Sequence, residues 1–336
     1  MTDLVVSRAS PATAIAGVLA TALIGAAAAA PLWAGSDQLR LLIEIFLYVA
    51  LAALWNFLAG FAGLVSVGQQ AYVGLGGYAL FGLSAKAGIA PLYTLPLIGL
   101  GAALISVPVA MLLFRLRGAY FAITSWVVAE VFRLGAVRIV PLGGGSGMSL
   151  PVAAARTLGR TPHARFVSIY MTSLLLLVLV LAVIFVTLRS RLGLALTAIR
   201  DNEAAARASG VNVDRTKLAV YVACATGAAM IGAVTFLQRL RISPDSGFSV
   251  NDWTALVIFM VVIGGIGTFE GPILGTLIYF GLRETLSQLG PYYLMILGGV
   301  AIAVMLAEPR GLWGALRART RLQFLPLSYV VRRTQR

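Results

Sequence analysis

Between Arg189 and Lys217 the chain gathers nine charged side chains in 29 positions, although only 11% of all residues are charged. At its centre stands Asp201-Asn202-Glu203-Ala204-Ala205-Ala206-Arg207-Ala208-Ser209-Gly210. The chemistry this spacing offers is recognition rather than catalysis. Asp201 or Asn202 can cap a helix start by accepting a free backbone N–H. Glu203 falls in the first turn, where a negative charge suits the helix dipole. Arg207 follows four residues later, in the favourable acid-then-base order, and Gly210 can take the left-handed conformation that ends a helix. These signals predict one short helix over 202–209. Helices shorter than ~12–15 residues are marginal alone in water, so this one needs a surface. Ala204, Ala205 and Ala208 offer a small-residue face for a groove in another protein. The competing reading is a helix lying on lipid headgroups, but that calls for large apolar anchors, and only alanines are present.

Other reactive residue types are scarce. The single cysteine, Cys224, sits in an apolar run, which excludes an internal disulfide, and the single histidine, His163, cannot form a metal site by itself. Lys86 and Lys217 are the only lysines and neither follows a glycine, so there is no G-x-x-x-x-G-K phosphate loop. If ATP drives this protein, another chain binds it. No catalytic residue and no cofactor is expected in this chain.

The elements that must carry these residues are membrane spans. The chain is 60% hydrophobic, with a mean hydropathy of +0.92, outside the range of soluble domains. Its 36 glycines suit closely packed transmembrane helices. A span needs roughly 20 apolar residues, and about ten stretches qualify: 12–33, 40–58, 64–84, 92–114, 119–138, 166–188, 217–238, 253–268, 272–289 and 291–307. Gly264, Gly265, Gly267, Gly271 and Pro272 interrupt the eighth and ninth. The end of the first, AAAAAPLWAG, also resembles a cleavage site, but its apolar region is long for a signal peptide and it is kept as a span. With a cytoplasmic N-terminus, 16 of the 26 Lys and Arg residues fall in cytoplasmic segments, as the positive-inside rule requires. The net charge of +14 is therefore an orientation signal and not a nucleic-acid footprint. The expected fold is an all-α polytopic membrane protein with some short or broken spans. It forms one transmembrane domain over 1–336: an N-terminal segment and first span to 39, a core over 40–310, the polar loop 189–217 and a basic tail over 311–336.

Several segments, in order, resemble the branched-chain amino acid permease family of bacterial ABC importers. They are Gly60-Phe61-Ala62-Gly63-Leu64-Val65-Ser66-Val67-Gly68-Gln69, Arg115-Leu116-Arg117-Gly118-Ala119-Tyr120-Phe121-Ala122-Ile123-Thr124, Gly143-Gly144-Gly145-Ser146-Gly147-Met148 and Ser190-Arg191-Leu192-Gly193 through Ala198-Ile199-Arg200-Asp201-Asn202-Glu203. Gly264-Gly265-Ile266-Gly267-Thr268 and Pro309-Arg310-Gly311-Leu312 complete the series. The resemblance covers roughly 40–315. It implies a subunit of the bacterial inner membrane, and the Lys and Arg distribution puts both termini on the cytoplasmic side. It also implies four kinds of neighbour: a second, homologous permease, two ATP-binding cassette ATPases, a periplasmic solute-binding protein and membrane lipid. Its Glu-Ala-Ala loop corresponds to the coupling helix that docks on the ATPase, a role that falls on Arg200, Asp201, Glu203, Ala204, Ala205, Arg207 and Gly210. Trp126-Val127-Val128-Ala129-Glu130 stands where the family shows a Leu-Ala-Phe-Gly-Glu type sequence, and Gln69-Gln70 where a Gly-His type pair is common. Both departures bear on the substrate and not on the fold.

Polar groups inside spans are costly and ask for a partner or a cavity. Asn56, Ser66, Gln69 and Gln70 cluster at a glycine-rich break, and Gly264, Gly265 and Thr268 mark another; broken helices in corresponding halves mark transport paths. Ala53-Leu54-x-x-Phe57 reaches Gly63 at the spacing with which Ala255-Leu256-x-x-Phe259 reaches Gly265. Chance explains the match equally well in so biased a composition. Glu130 and Arg133 lie three apart and form either a structural ion pair or a gate. Gly143, Gly144, Gly145 and Ser146 lie in the loop 139–165, read as a flexible docking site for the binding protein or as a plain connector. Gly144-x-Ser146-Gly147 also matches the G-x-S-G of intramembrane serine proteases, but Ser146 and His163 fall together in that loop rather than on membrane helices. Other expectations remain: urea or short-amide transport, sugar transport, or an ion-coupled transporter using Glu44 or Glu130.

Overall fold

The computed structural model describes residues 4–7, 11–286, 290, 292–308, 310–320 and 330–333. Its elements run β1 (Leu4–Ser7), α1 (Pro11–Ala29), α2 (Ser36–Asn56), α3 (Gln70–Lys86), α4 (Pro91–Leu113), α5 (Ala119–Arg138), β2 (Met148–Ser149), α6 (Val152–Arg156), α7 (Pro162–Arg189), α8 (Arg191–Asp201), α9 (Glu203–Ala208), α10 (Val213–Arg239), β3 (Arg241–Ile242), α11 (Pro244–Gly247), α12 (Leu256–Gly264), α13 (Gly271–Leu286), α14 (Tyr292–Ala307), α15 (Gly311–Thr320) and β4 (Val330–Arg333). The fold is all-α and polytopic. The strands form two short antiparallel pairs, β1 with β4 at the chain ends and β2 with β3.

Seven stretches among the described residues are long and apolar enough to cross a membrane: Ser36–Phe61, Pro91–Leu113, Ala119–Arg138, Pro162–Arg189, Val213–Arg239, Pro244–Gly264 and Met295–Arg317. The expected count of ten is not reached by that measure. The apolar part of α1 covers Gly17–Leu32, and α3 and α13 have 17 and 16 residues. At 1.5 Å per residue the last two reach about 24–26 Å, short of a hydrocarbon core of about 30 Å. Each begins after a glycine-rich break that removes a turn. The break places residues 62–69 outside any helix, so the span expected over 64–84 starts only at Gln70. The span expected at 253 instead begins at Pro244, through α11 and a π-helical turn at Asn251–Ala255.

Helices α2 and α10 form the centre, with α10 packed on α3, α4 and α2, and α2 on α7 and α13. At the α3–α10 crossing there is no room for a Cβ on Gly76 against the Ala229 carbonyl, nor on Gly232 against that of Val73. Small residues let the two backbones touch, and van der Waals packing rather than hydrophobic burial holds helices together in lipid. The outward faces of α4 and α7 carry exposed apolar side chains such as Leu100, Leu104, Leu175 and Leu179, suited to lipid.

Candidate functional site

The polar island folds into two helices, not one. Ser190 caps α8 by accepting from the Leu192 N–H. Asn202 then turns the chain into an extended conformation (φ −159°, ψ 103°), and its side-chain oxygen accepts from the Ala205 N–H at 3.0 Å to start α9. Arg200 and Asp201 thus end α8 and lie outside the short helix, which spans Glu203–Ala208 rather than 202–209. Gly210 takes φ +85° after it, as the sequence predicts.

A charge network fixes α9 to the start of α10. Glu203 accepts from the Lys217 ammonium at 2.7 Å and from Arg207 at 3.2 Å, and Arg207 reaches Asp214 at 2.7 Å. The hydrogen bond from Lys217, then that from Arg207, holds the Glu203 carboxyl below its usual range. Beneath the network, Ala206 packs with Ile199 and Val213. The opposite face, Ala204, Ala205 and Ala208, is exposed. The sequence missed Lys217 and Asp214 as partners, although Asp214 lies about one turn and Lys217 about two turns beyond Gly210.

Arg200 points the other way. Its guanidinium donates to the Gly60 carbonyl at 3.5 Å, at the end of the π-helical turn Phe57–Phe61 that closes α2. There the two breaks anticipated in the sequence meet. The Asn56 amide donates to the Thr268 carbonyl at 2.7 Å, and its oxygen accepts from the Gly267 N–H at 2.7 Å. Gly63 (φ +69°) and Gly265 (φ +125°), the paired ends of the sequence match, both take the left-handed region as they terminate helices. A Cβ on Gly311 would strike Gly264's neighbour Gly265, so the start of α15 closes on the same spot. Pro309 of that motif lies outside the described residues. These expected path residues therefore form a seam at the end of the bundle that carries α8 and α9.

The loop before α3 is knitted to its surroundings. The Trp55 indole donates to the Ser66 carbonyl at 2.8 Å, the Ser66 hydroxyl accepts from the Gly68 N–H at 3.2 Å, and the Val67 N–H donates to the Ser125 hydroxyl at 2.9 Å. Gln69 donates to the Leu51 carbonyl at 3.3 Å and Gln70 accepts from the Thr254 hydroxyl. Among the described residues, Gln69 Oε1 and Gln70 Nε2 are buried without a partner. Gln69 lines a small cavity of about 20 Å³ with Ser66, Tyr72 and Tyr221. Unpaired buried amide atoms cost free energy, and Gln69 borders this cavity.

At the other end of the bundle the loop 139–165 carries β2 and α6. β2 pairs with β3, and Gly143 (φ +88°) and Gly147 (φ +76°) leave no room for side chains against neighbouring backbone. Gly144 is buried, whereas Gly145 and Ser146 are exposed. The Ser146 hydroxyl donates to the Gly143 carbonyl at 2.9 Å and forms no hydrogen bond with His163, which sits in the first turn of α7. Nearby, Glu130 and Arg133 form the expected ion pair at 2.7 Å, but Arg133 also binds Asp245 at 2.9 Å. Across 112 residues no sequence signal announces that third member. Glu44, the other carboxylate considered for ion coupling, is paired with Arg283 at 3.0 Å.

Comparison with known proteins agrees with this architecture. Residues 38–305 match the family described as branched-chain amino acid transport system, permease component. The LivM permease of the high-affinity branched-chain amino acid transport system of Escherichia coli K12 is 28% identical over 324 residues, covering 90% of this chain and 76% of LivM. LivM of Salmonella typhimurium gives the same figures. The ribose import permease RbsC of Escherichia coli K12 is 35% identical over only 118 residues, 34% of this chain and 37% of RbsC. No solved structure matches.

Proposed function

The chain belongs to the branched-chain amino acid transport permease family of ABC importers, and on that premise we propose that it is the inner-membrane permease subunit of an ATP-driven importer for branched-chain, hydrophobic amino acids. Two ATP-binding cassette ATPases bind the face that carries α8 and α9, a second homologous permease completes the path, and a periplasmic solute-binding protein delivers substrate to the opposite face. Both termini are cytoplasmic. The exposed Gly145 and Ser146, next to the paired strands β2 and β3, form part of the surface for the binding protein.

The observation that carries this reading is the two-sided geometry of the island. Its alanine face is open, while the Lys217–Glu203–Arg207–Asp214 network and Arg200 tie the same segment to α10 and to the α2–α12 seam. A subunit gripping α9 therefore pulls on both helix breaks. ATP-driven closure of the ATPases moves α9, and the seam at Asn56, Gly60, Gly267 and Thr268 transmits that motion to the spans, with Gln69 and Gln70 in the path beyond it. Coverage of 90% of this chain by LivM, against 34% by RbsC, favours amino acids over sugars. The test is reconstitution of the purified complex with its binding protein in vesicles. ATP-dependent uptake of leucine supports the proposal; uptake driven by a proton gradient without ATP, or of urea or ribose in place of leucine, contradicts it.

A further inference from the structure

The break before α3 meets α10 across a cavity. Side chains from α2, the break, α3 and α10 line about 20 Å³ of space, Ser66, Gln69, Tyr72, Tyr221 and Cys224 among them. An amino acid cannot enter so small a volume, but one water needs only roughly 10–15 Å³. Two donors on the lining are already spent. The Trp55 indole donates to the Ser66 carbonyl at 2.8 Å, and the Cys224 thiol to the Leu54 carbonyl at 3.3 Å.

Three polar groups on this lining are left over. Gln69 is only 8% exposed. Its Nε2 donates to the Leu51 carbonyl at 3.3 Å. A carbonyl can only accept, so this bond fixes which end of the amide carries the hydrogens. Oε1 is then the free end, buried and without a partner among the described residues. The Ser66 hydroxyl accepts from the Gly68 N–H at 3.2 Å, but its own hydrogen has no acceptor among the described residues. The Tyr72 hydroxyl donates to that of Tyr221 at 3.1 Å, and the Tyr221 hydrogen is free in the same sense. One unpaired acceptor and two unpaired donors complement a molecule that both donates and accepts. Buried waters make about three hydrogen bonds each, and this lining offers that number. It has no carboxylate for a cation. A dry void would strand all three groups, at a cost in free energy for each.

We propose that this cavity is a binding site for one ordered water, which donates to Gln69 Oε1 and accepts from the Ser66 and Tyr221 hydroxyls, and so forms a hydrated joint between the break before α3 and α10. Tyr221 stands one turn along α10 from Lys217, the residue that holds Glu203. The joint therefore links the helix anchoring α9 to the segment that carries Gln69. A contact made through water can part and re-form at little enthalpic cost, which a direct side-chain bond at that depth cannot.

The test is X-ray radiolytic labelling of the full chain in lipid nanodiscs. A short pulse turns water into hydroxyl radicals where it stands, and mass spectrometry finds the side chains oxidised beside it. Cys224 is compared with Met260, each rate taken relative to the denatured chain. Both are buried sulfur side chains, and Met260 does not line the cavity. Cys224 and Tyr221 label several-fold faster than Met260. Gln69→Leu, which removes the acceptor, and Ala225→Val, which fills the cavity from α10, each abolish most of the Cys224 labelling. A variant that misfolds raises the Met260 rate as well and is recognised by it, and the wild-type comparison decides the matter without either. Equal rates at Cys224 and Met260 mean a dry void and overturn the proposal, as does undiminished labelling of Cys224 in the folded variants. No outcome depends on ATP or on the solute carried, so the importer reading is scored separately, by uptake.

Discussion

The amide of Asn56 donates to the Thr268 carbonyl at 2.7 Å across 212 residues of sequence, and its oxygen takes the Gly267 N–H at the same distance. One side chain thereby satisfies two backbone groups that the break after α12 leaves without helical partners. Asn56→Leu keeps the volume and strands both groups. Each unsatisfied group costs about 1–3 kcal/mol. The melting midpoint of the detergent-solubilised protein falls by several degrees, read by tryptophan fluorescence. An unchanged midpoint would show that the seam is not held there.

Gly60 and Gly101 give a prediction of opposite signs. A Cβ on Gly60 collides with the Gly267 backbone and the Asn56 oxygen, whereas one on Gly101 in α4 meets nothing within 4 Å. Gly60→Ala destabilises, by about 1–3 kcal/mol as for other overpacked sites. Gly101→Ala stabilises by about 0.5–1 kcal/mol through reduced backbone freedom. Thermal unfolding of the two variants side by side checks both.

Glu203→Arg sets a third cation beside Arg207 and Lys217, and Gly210→Val forces a branched residue to φ +85°, at a cost of about 1–2 kcal/mol. Both variants insert and express normally, retain ATP hydrolysis by the complex, and lose most ATP-dependent uptake. Wild-type uptake in both would remove α9 from the mechanism.

Acid should loosen α9 late. Lys217 first, and Arg207 second, hold the Glu203 carboxyl below the ordinary carboxylate range. A depressed carboxyl contributes order that is present above the unfolded value and lost as pH falls through the folded one. Amide exchange at 203–210, corrected for intrinsic rates, therefore stays slow down to the ordinary carboxylate range and speeds only below it. Lys217→Met, which removes the leading cause, moves that onset upward; an onset unmoved by the substitution contradicts the assignment.

Much of this molecule is legible in its sequence because its strongest signals are local. The cap at Asn202, the Glu203–Arg207 pair and the left-handed Gly210 all act within ten residues, and all appear where the pattern puts them. Hydropathy locates the helices, yet it cannot measure a helix that starts after a glycine break, which is why α3 and α13 are shorter than expected. The island's division into α8 and α9 turns on the extended backbone of Asn202, which a cap signal does not distinguish from a simple helix start. Contacts across long sequence separations are the illegible part. Nothing near Asn56 names Thr268, nothing near Arg200 names Gly60, and nothing near Arg133 names Asp245. The strand pairing of the loop 139–165 is hidden for the same reason, since its partner strand lies beyond α10.

The central claim is that the alanine face of α9 grips an ATPase. A photo-crosslinking residue placed at Ala205 in the native membrane, followed by mass spectrometry of the adduct, tests it most directly. The account predicts a single protein adduct, on a chain carrying a G-x-x-x-x-G-K loop. A lipid adduct, or none while the protein remains active in transport, would contradict it.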